Sequence, residues 1–362
     1  MTRHRLFVLV RLALSVGAVF LIVRLFLLPA LRKNSTNLSN LIHINIAFLL
    51  LGLALEVGSL LAYARLTQVV LPGPKRRLFT LLRIDMSTFA VSHLVPGGSV
   101  AGAALGYRLL DYQGVSYTDA SFAIGTQAIG SAVVLNVVLW AALIVSIPIH
   151  GVNHHIGYLY KTAAVVGAFL LTLSGGLIFF LTIGQERATR IIHWIGLKLP
   201  FIRPATFESA LDRLGKHLAA LARDRRLLTG AIVWAAANWA LDAASLWVFL
   251  RAFGVSVLAP YLLVAYGLAY VLAVVPITPS GLGIVETVLI GVLSGFGFAS
   301  STVGLGVLSY RVVNFLLPIP VGAASYLSLT FHRAVLDTKN GHSRVRRGQG
   351  AENEAVDPTG GK

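Results

Sequence analysis

The sequence predicts an all-α polytopic membrane protein, with six full spans, two broken hairpins and an inverted internal repeat. Three observations carry this. Of 362 residues, 56% are hydrophobic and only 12% charged, with a mean hydropathy of +0.78. A soluble domain carries about 25% charged residues, and its outer shell must face water, so it has nowhere to hide this much apolar surface. The apolar residues gather in runs long enough to cross a bilayer as helices, which takes about 20 residues. Two proline- and glycine-rich breaks then recur inside apolar sequence at a fixed spacing.

The six runs are Leu6–Leu28, His43–Tyr63, Asp119–Val145, Tyr158–Gly184, Leu228–Leu250 and Ser301–Leu329. They lack the two-residue alternation of outer-membrane strands, so helices are the spanning form expected. The first run follows Arg3 and Arg5 as a signal peptide would. It is too long for one and no small-residue cleavage site follows, so it is expected to remain as the first span. Leu78–Tyr112 and Leu258–Gly297 each hold two arms separated by a turn sequence. Arms of about 16–18 residues would be about 24–27 Å long, slightly under an apolar core of about 30 Å. They are expected as re-entrant hairpins or as pairs of short spans, giving 6–8 spans in all. Either form returns the chain to the side it came from.

The net charge of +16 sits between the apolar runs. It is therefore read as topology and attraction to anionic headgroups, not as nucleic-acid binding. With the N-terminus in the cytoplasm, the cytoplasmic segments hold 21 Lys and Arg and the outer ones 3. That asymmetry predicts a multi-pass protein of the cell (inner or plasma) membrane with both termini cytoplasmic. In the basic loop 185–227, Phe207, Leu211, Leu214, Leu218 and Leu221 recur at helical spacing. They mark an amphipathic helix lying on the inner leaflet or packed on other cytoplasmic parts. Residues 1–335 are read as the membrane domain, and 336–362, polar and without aromatics, as a disordered tail.

The breaks define the repeat. Pro96, Gly98 and Gly114 match Pro279, Gly281 and Gly297 at an offset of 183. Glu56 and Arg65 match Asp242 and Arg251 at an offset of 186. A unit of span, hairpin and span thus occurs over 43–145 and again over 228–329. Three full crossings separate the two starts, so the second unit is expected upside down relative to the first, a plan that recurs in transporters.

The sequence His93-Leu94-Val95-Pro96-Gly97-Gly98, with Arg108 behind it, resembles one signature of the lysylphosphatidylglycerol synthase transmembrane (flippase-like) family. Pro276-Ile277-Thr278-Pro279-Ser280-Gly281-Leu282-Gly283-Ile284-Val285-Glu286 resembles the other, continuing into Tyr310-Arg311-Val312-Val313-Asn314-Phe315 and Pro318. The resemblance covers roughly residues 5–330. It implies a membrane domain that moves lipids between leaflets, or helps to. The best-known members of the family fuse this domain to a cytoplasmic aminoacyl-transferase domain. Too few residues follow Phe331 for such a unit, so lysyl transfer is not carried over. Ser99-Val100-Ala101 departs from the family's usual pattern at the first hairpin.

Charges inside a bilayer cost about 2.5–3.5 kcal/mol each at a helix centre, so each needs a reason. Arg83, Asp85, Arg108, Glu286 and Arg311 lie in or beside apolar runs, as do Glu56 and Asp242. A functional reading gathers the first five around a lipid headgroup, with the arginines on its phosphate and Glu286 as gate, counter-charge or proton site. A structural reading pairs Arg311 with Glu286 between helices, and Glu56 and Asp242 are read as structural. Asn314 lies one turn from Arg311 on the same face, and His93 precedes the first turn as a hydrogen-bonding group. Pro96, Gly97, Gly98, Pro279, Gly281 and Gly283 are the hairpin turns, where glycine lets backbone N–H groups approach an anion.

No enzymatic chemistry is indicated. There are no cysteines, and His154-His155 has no carboxylate at zinc-site spacing. Neither a phosphate-binding loop nor a hydrolytic triad motif occurs. No catalytic residue, metal or cofactor is assigned. The expected partners are membrane lipids, with a lipid-modifying or glycosyltransferase enzyme as the partner under a scaffolding alternative.

Overall fold

Apolar runs become helices in lipid because every backbone N–H and C=O must find its partner within the segment. In the computed structural model, residues 46–95, 98–146, 224–273 and 278–331 are described, with the isolated helical positions 165, 169 and 172. Leu6–Leu28, most of Tyr158–Gly184, the segment 207–221 and the tail 336–362 lie outside the described residues, as do Pro96, Gly97, Pro276 and Ile277.

Among the described residues all regular structure is helical. Four helices form the first half: α1 (Ile46–Val70), α2 (Leu78–Leu94), α3 (Gly98–Asp111) and α4 (Tyr117–Ser146). Four form the second: α5 (Arg225–Ala252), α6 (Ala259–Leu272), α7 (Ile284–Gly295) and α8 (Ser300–Arg311), which continues to Phe331. The order is long, short, short, long in both halves. The four long helices are long and apolar enough to span a membrane. The short ones have 17, 14, 14 and 12 residues, and at 1.5 Å per residue none reaches across a core of about 30 Å. Helix α1 runs past the expected end at Tyr63. Arg65 reads as an interface residue but lies on the exposed face, while Leu66, Thr67 and Val70 are buried against neighbouring helices.

The crossing of α1 and α5 is the centre of the fold. Ser59 Oγ donates to the Asn238 carbonyl at 3.1 Å, and Ser245 Oγ donates to the Gly52 carbonyl at 2.9 Å. Ser59 and Ser245 differ by 186, as do Gly52 and Asn238, so the two bonds are the same contact made twice. A Cβ on Gly52 would meet Phe249, and one on Gly230 would meet Val69, so the helices run antiparallel. Reciprocal contacts between antiparallel helices require a local two-fold axis across the crossing. Glu56 and Asp242 sit beside that axis.

The outer helices exchange hairpins. Helix α4 packs on α6, where a Cβ on Gly267 would lie 2.9 Å from Leu139. Helix α8 packs on α2, where a Cβ on Gly322 would lie 2.0 Å from the Met86 carbonyl. Small residues let helix backbones approach closely where lipid supplies no hydrophobic drive between them. Within the first hairpin, Gly98 and Gly102 do the same for α3 against Ser92 of α2.

The Gly322 contact is with backbone, which has no rotamer to yield. Gly322→Ala is expected to destabilise by about 1–3 kcal/mol through overpacking. Gly291→Ala, at a helical site where a Cβ meets nothing within 4 Å, should gain about 0.5–1 kcal/mol from helix propensity. Thermal unfolding in detergent tests the pair, and equal shifts would contradict this reading of the α2–α8 contact.

A candidate lipid-binding cavity

Polar side chains buried in a membrane domain must satisfy one another. Here they do so around Asn314. Its Nδ2 donates to Glu56 Oε1 and to Asp242 Oδ1, both at 3.0 Å. Its Oδ1 accepts from Arg311 Nη1 and from the Tyr270 hydroxyl, both at 3.1 Å. The amide therefore uses two donors and two acceptor sites, its full capacity. Asp242 also accepts from the Tyr310 hydroxyl at 2.8 Å and from the Tyr266 hydroxyl. The Tyr270 hydroxyl also contacts that of Tyr310, and since Tyr310 donates to Asp242, the single Tyr270 proton is shared between Tyr310 and Asn314.

A local break in α8 sets Asn314 in place. Pro318 has no N–H and its ring excludes the carbonyl four residues back, which is that of Asn314. The helix widens to a π turn over Val312–Leu316, and Leu317 N–H bonds the Val312 carbonyl instead, at 3.0 Å. Such turns recur at functional sites. In the widened turn the Phe315 carbonyl accepts from His93 Nδ1 of α2 at 3.1 Å, and the two rings stack at 4.6 Å. Because the partner is a carbonyl, His93 carries its proton on Nδ1.

Glu286 holds two positions at once. Its Oε2 accepts from the Gly283 N–H at 2.6 Å, closing the start of α7. Its Oε1 meets Arg311 Nε at 2.6 Å. The turn before it, Pro279–Gly281, places Ser280 at φ 43° and Gly281 and Gly283 at φ 69° and 84°. Ser280 is a non-glycine residue in left-handed backbone, an unusual conformation. Its Oγ donates to the Ser92 carbonyl at 3.1 Å, so the turn of the second hairpin rests on α2 of the first.

Beside this network lies a cavity of about 490 Å³. Of the charged and polar residues expected at the site, Asp85, His93, Arg311 and Asn314 line it, and Gly98 does so at the start of α3. Arg83, Arg108 and Glu286 do not. Arg83 hydrogen-bonds Ser328 of α8, Arg108 lies exposed on α3, and Glu286 stands behind Arg311. Gly281 is buried against Ala273, and Gly283 gives its N–H to Glu286. The α7 start thus takes its anion from its own chain.

Other residues of the wall, and Tyr266 in the network behind it, carry no strong mark in the sequence. Gln127 Nε2 donates to Thr67 Oγ1 at 2.8 Å, and Thr67 Oγ1 lies 3.1 Å from Asp85 Oδ2. Tyr266 and Tyr270, four residues apart in an apolar helix, present hydroxyls on one face. That spacing is the signal that could have found them. Of the six buried side-chain atoms without a hydrogen-bond partner among the described residues, two belong to charged groups, Arg311 Nη2 and Glu56 Oε2. Arg311 is 5% exposed and Glu56 2%.

An all-helical membrane domain with paired broken hairpins and a polar cavity at their meeting is the class these features define. The family model for the lysylphosphatidylglycerol synthase TM region matches residues 8–322, and the chain belongs to that family. The matched model describes a membrane region and not a catalytic domain. A UPF0104 membrane protein of Methanothermobacter thermautotrophicus is 27% identical over 112 residues, 31% of this chain and 32% of that protein. The chain thus spans about a third of the length of that relative.

Removing one member of a buried ion pair leaves the other uncompensated, at about 3–5 kcal/mol. Arg311→Gln and Glu286→Gln are each expected to destabilise strongly, and the double variant by clearly less than their sum. The second change keeps an acceptor for the Gly283 N–H. A double-mutant cycle on thermal unfolding in detergent measures this, and additive losses would show that the pair contributes no coupling.

Proposed function

We propose that this protein is a lipid translocase of the cell (inner or plasma) membrane, with both termini cytoplasmic. It takes the phosphate of an anionic or polyprenyl-phosphate lipid into the cavity between its two hairpins. The observation that carries this reading is the buried guanidinium of Arg311 on the cavity wall, with Nη2 unpaired among the described residues. Phosphate oxygens are the natural acceptors for such a fork. Intramembrane charges facing a cavity mark substrate pathways, and crossed inverted units with broken helices are a transporter plan. Family membership agrees with a role at lipid. A headgroup would enter among Ser92, His93, Gly98 and Ser99 at the hairpin tips, with its acyl chains left in the surrounding bilayer.

The competing reading is a non-transporting partner that scaffolds a lipid-modifying or glycosyltransferase enzyme through the basic loop 185–227. The two separate cleanly. In liposomes of phosphatidylethanolamine and phosphatidylglycerol, the full chain is expected to accelerate exchange of NBD-labelled phosphatidylglycerol between leaflets, read by dithionite quenching. Zwitterionic NBD-phosphatidylcholine should move more slowly. Arg311→Lys keeps the charge but loses the planar fork, and should slow the anionic probe by about tenfold, the equivalent of one lost charge-assisted bond. Replacing the loop arginines and lysines by glutamine should leave exchange intact. Folded protein that accelerates neither probe would refute translocation, and a cellular phenotype lost only with the loop charges would favour the scaffold.

A further inference from the structure

The Arg311 pocket holds more acid than base. Glu286 neutralises Arg311 directly at 2.6 Å. Asp242 of α5 is left as an anion, and three donors hold it: Tyr266, Tyr310 and Asn314. Glu56 of α1 is the remaining carboxyl. Its Oε1 accepts from Asn314 Nδ2, and its Oε2 meets no donor among the described residues although the residue is only 2% exposed. The neighbouring hydroxyl of Ser245 is committed to the Gly52 carbonyl. Asn314 Nδ2 donates to Glu56 Oε1 and to Asp242 Oδ1, both at 3.0 Å, so one nitrogen holds the two carboxyls side by side, and like charges that close in a dry site do not both ionise.

We propose that Glu56, bridged to Asp242 beside the two-fold axis, is the binding site of a proton that travels with the lipid anion. The proposal rests on the translocase reading and supplies its energy source. With Glu56 neutral, Arg311, Glu286 and Asp242 carry a net charge of −1. A phosphate monoanion at Arg311 brings this to −2, and ionising Glu56 would bring it to −3 in a site with little water to screen it. The proton and the phosphate therefore favour each other's binding, and linkage makes the effect reciprocal. Asn314 is the physical connection, since one amide touches Arg311 on the cavity side and both carboxyls behind it.

The other titratable groups around the pair do not take this role. Tyr270 of α6 lines the cavity, but its hydroxyl proton is engaged within the network. His93 of α2 is committed to the Phe315 carbonyl. Asp85 of α2 faces the same cavity, but a hydroxyl of α1 already lies at 3.1 Å from its Oδ2.

One proton moving with one monoanionic lipid carries no net charge. The full chain in phosphatidylethanolamine–phosphatidylglycerol vesicles, in sodium-free buffer, should therefore concentrate NBD-phosphatidylglycerol in the leaflet facing the alkaline side. Each pH unit should shift the leaflet ratio by about tenfold. A potential imposed with potassium and valinomycin should shift it little. Entrapped pyranine should report proton flow when the probe is added. Glu56→Gln, which imitates the protonated acid, should lose the response to the gradient. Probe that moves but spreads equally whatever the gradient overturns the proton site and leaves translocation standing. So does a wild-type response to sodium in place of pH, or a full gradient response in Glu56→Gln. No movement of the probe at all overturns the translocase reading itself.

Discussion

A single amide, that of Asn314, is the junction on which the interior depends. It binds Glu56 of α1, Asp242 of α5, Tyr270 of α6 and Arg311 within α8. Through Arg311 and Glu286 it reaches α7 as well. In water such a network could exchange partners with solvent. In lipid each group must be satisfied within the protein, and a lost bond costs about as much as burying a bare polar atom. The constraint explains why one asparagine is surrounded by so many hydrogen-bonding side chains, and why the helix that carries it widens at Pro318.

Much of this architecture is legible in the sequence, because composition and turn chemistry act locally. The four described long helices fall on apolar runs, and the glycines at 98, 281 and 283 fall at the hairpin turns. Ends are blurred where a charge can point outward, as at Arg65. The pairing of Arg311 with Glu286 is foreseeable as one of two alternatives, since both lie in one half of the chain. The partnership of Asn314 with Glu56 spans 258 positions, and no local pattern announces it. Glu56 and Asp242 are visible as a pair only through the 186-residue offset, which places them in equivalent spots without saying that those spots touch. The hydroxyl groups of Tyr266, Tyr270 and Tyr310 escape a search for charges, since a tyrosine in a membrane helix reads first as bulk.

The glycines divide the same way. Gly98 is foreseen as a turn residue, and the structure adds that it also lines the cavity. Gly102 and Gly106 read as helix-packing residues, yet both line the cavity too. Packing and access are the same property here: the absence of side chains that brings α3 onto α2 also leaves room between them. A larger residue would fill the cavity and part the helices together, so loss of binding at these positions is tied to loss of packing.

The scaffold has a two-fold plan, but the chemistry is one-sided. The residues at offset 183 from Arg311 and Asn314 are Ala128 and Ser131, so α4 carries no counterpart of the charged pocket. The cavity is lined mainly by the first half, while its cation comes from the second. The crossing of α1 and α5 is symmetric, each serine bond having its mate, so it distinguishes neither half from the other. What differs between the halves is the Arg311–Asn314–Glu286 side with its surplus of carboxylate. A charge change at Glu56 and Asp242 lies beside the axis itself, where a small shift in either helix alters both halves. Under the proposed proton site, the carboxyl pair stands there with the guanidinium one amide away, so a phosphate in the cavity would act on the symmetric crossing of α1 and α5.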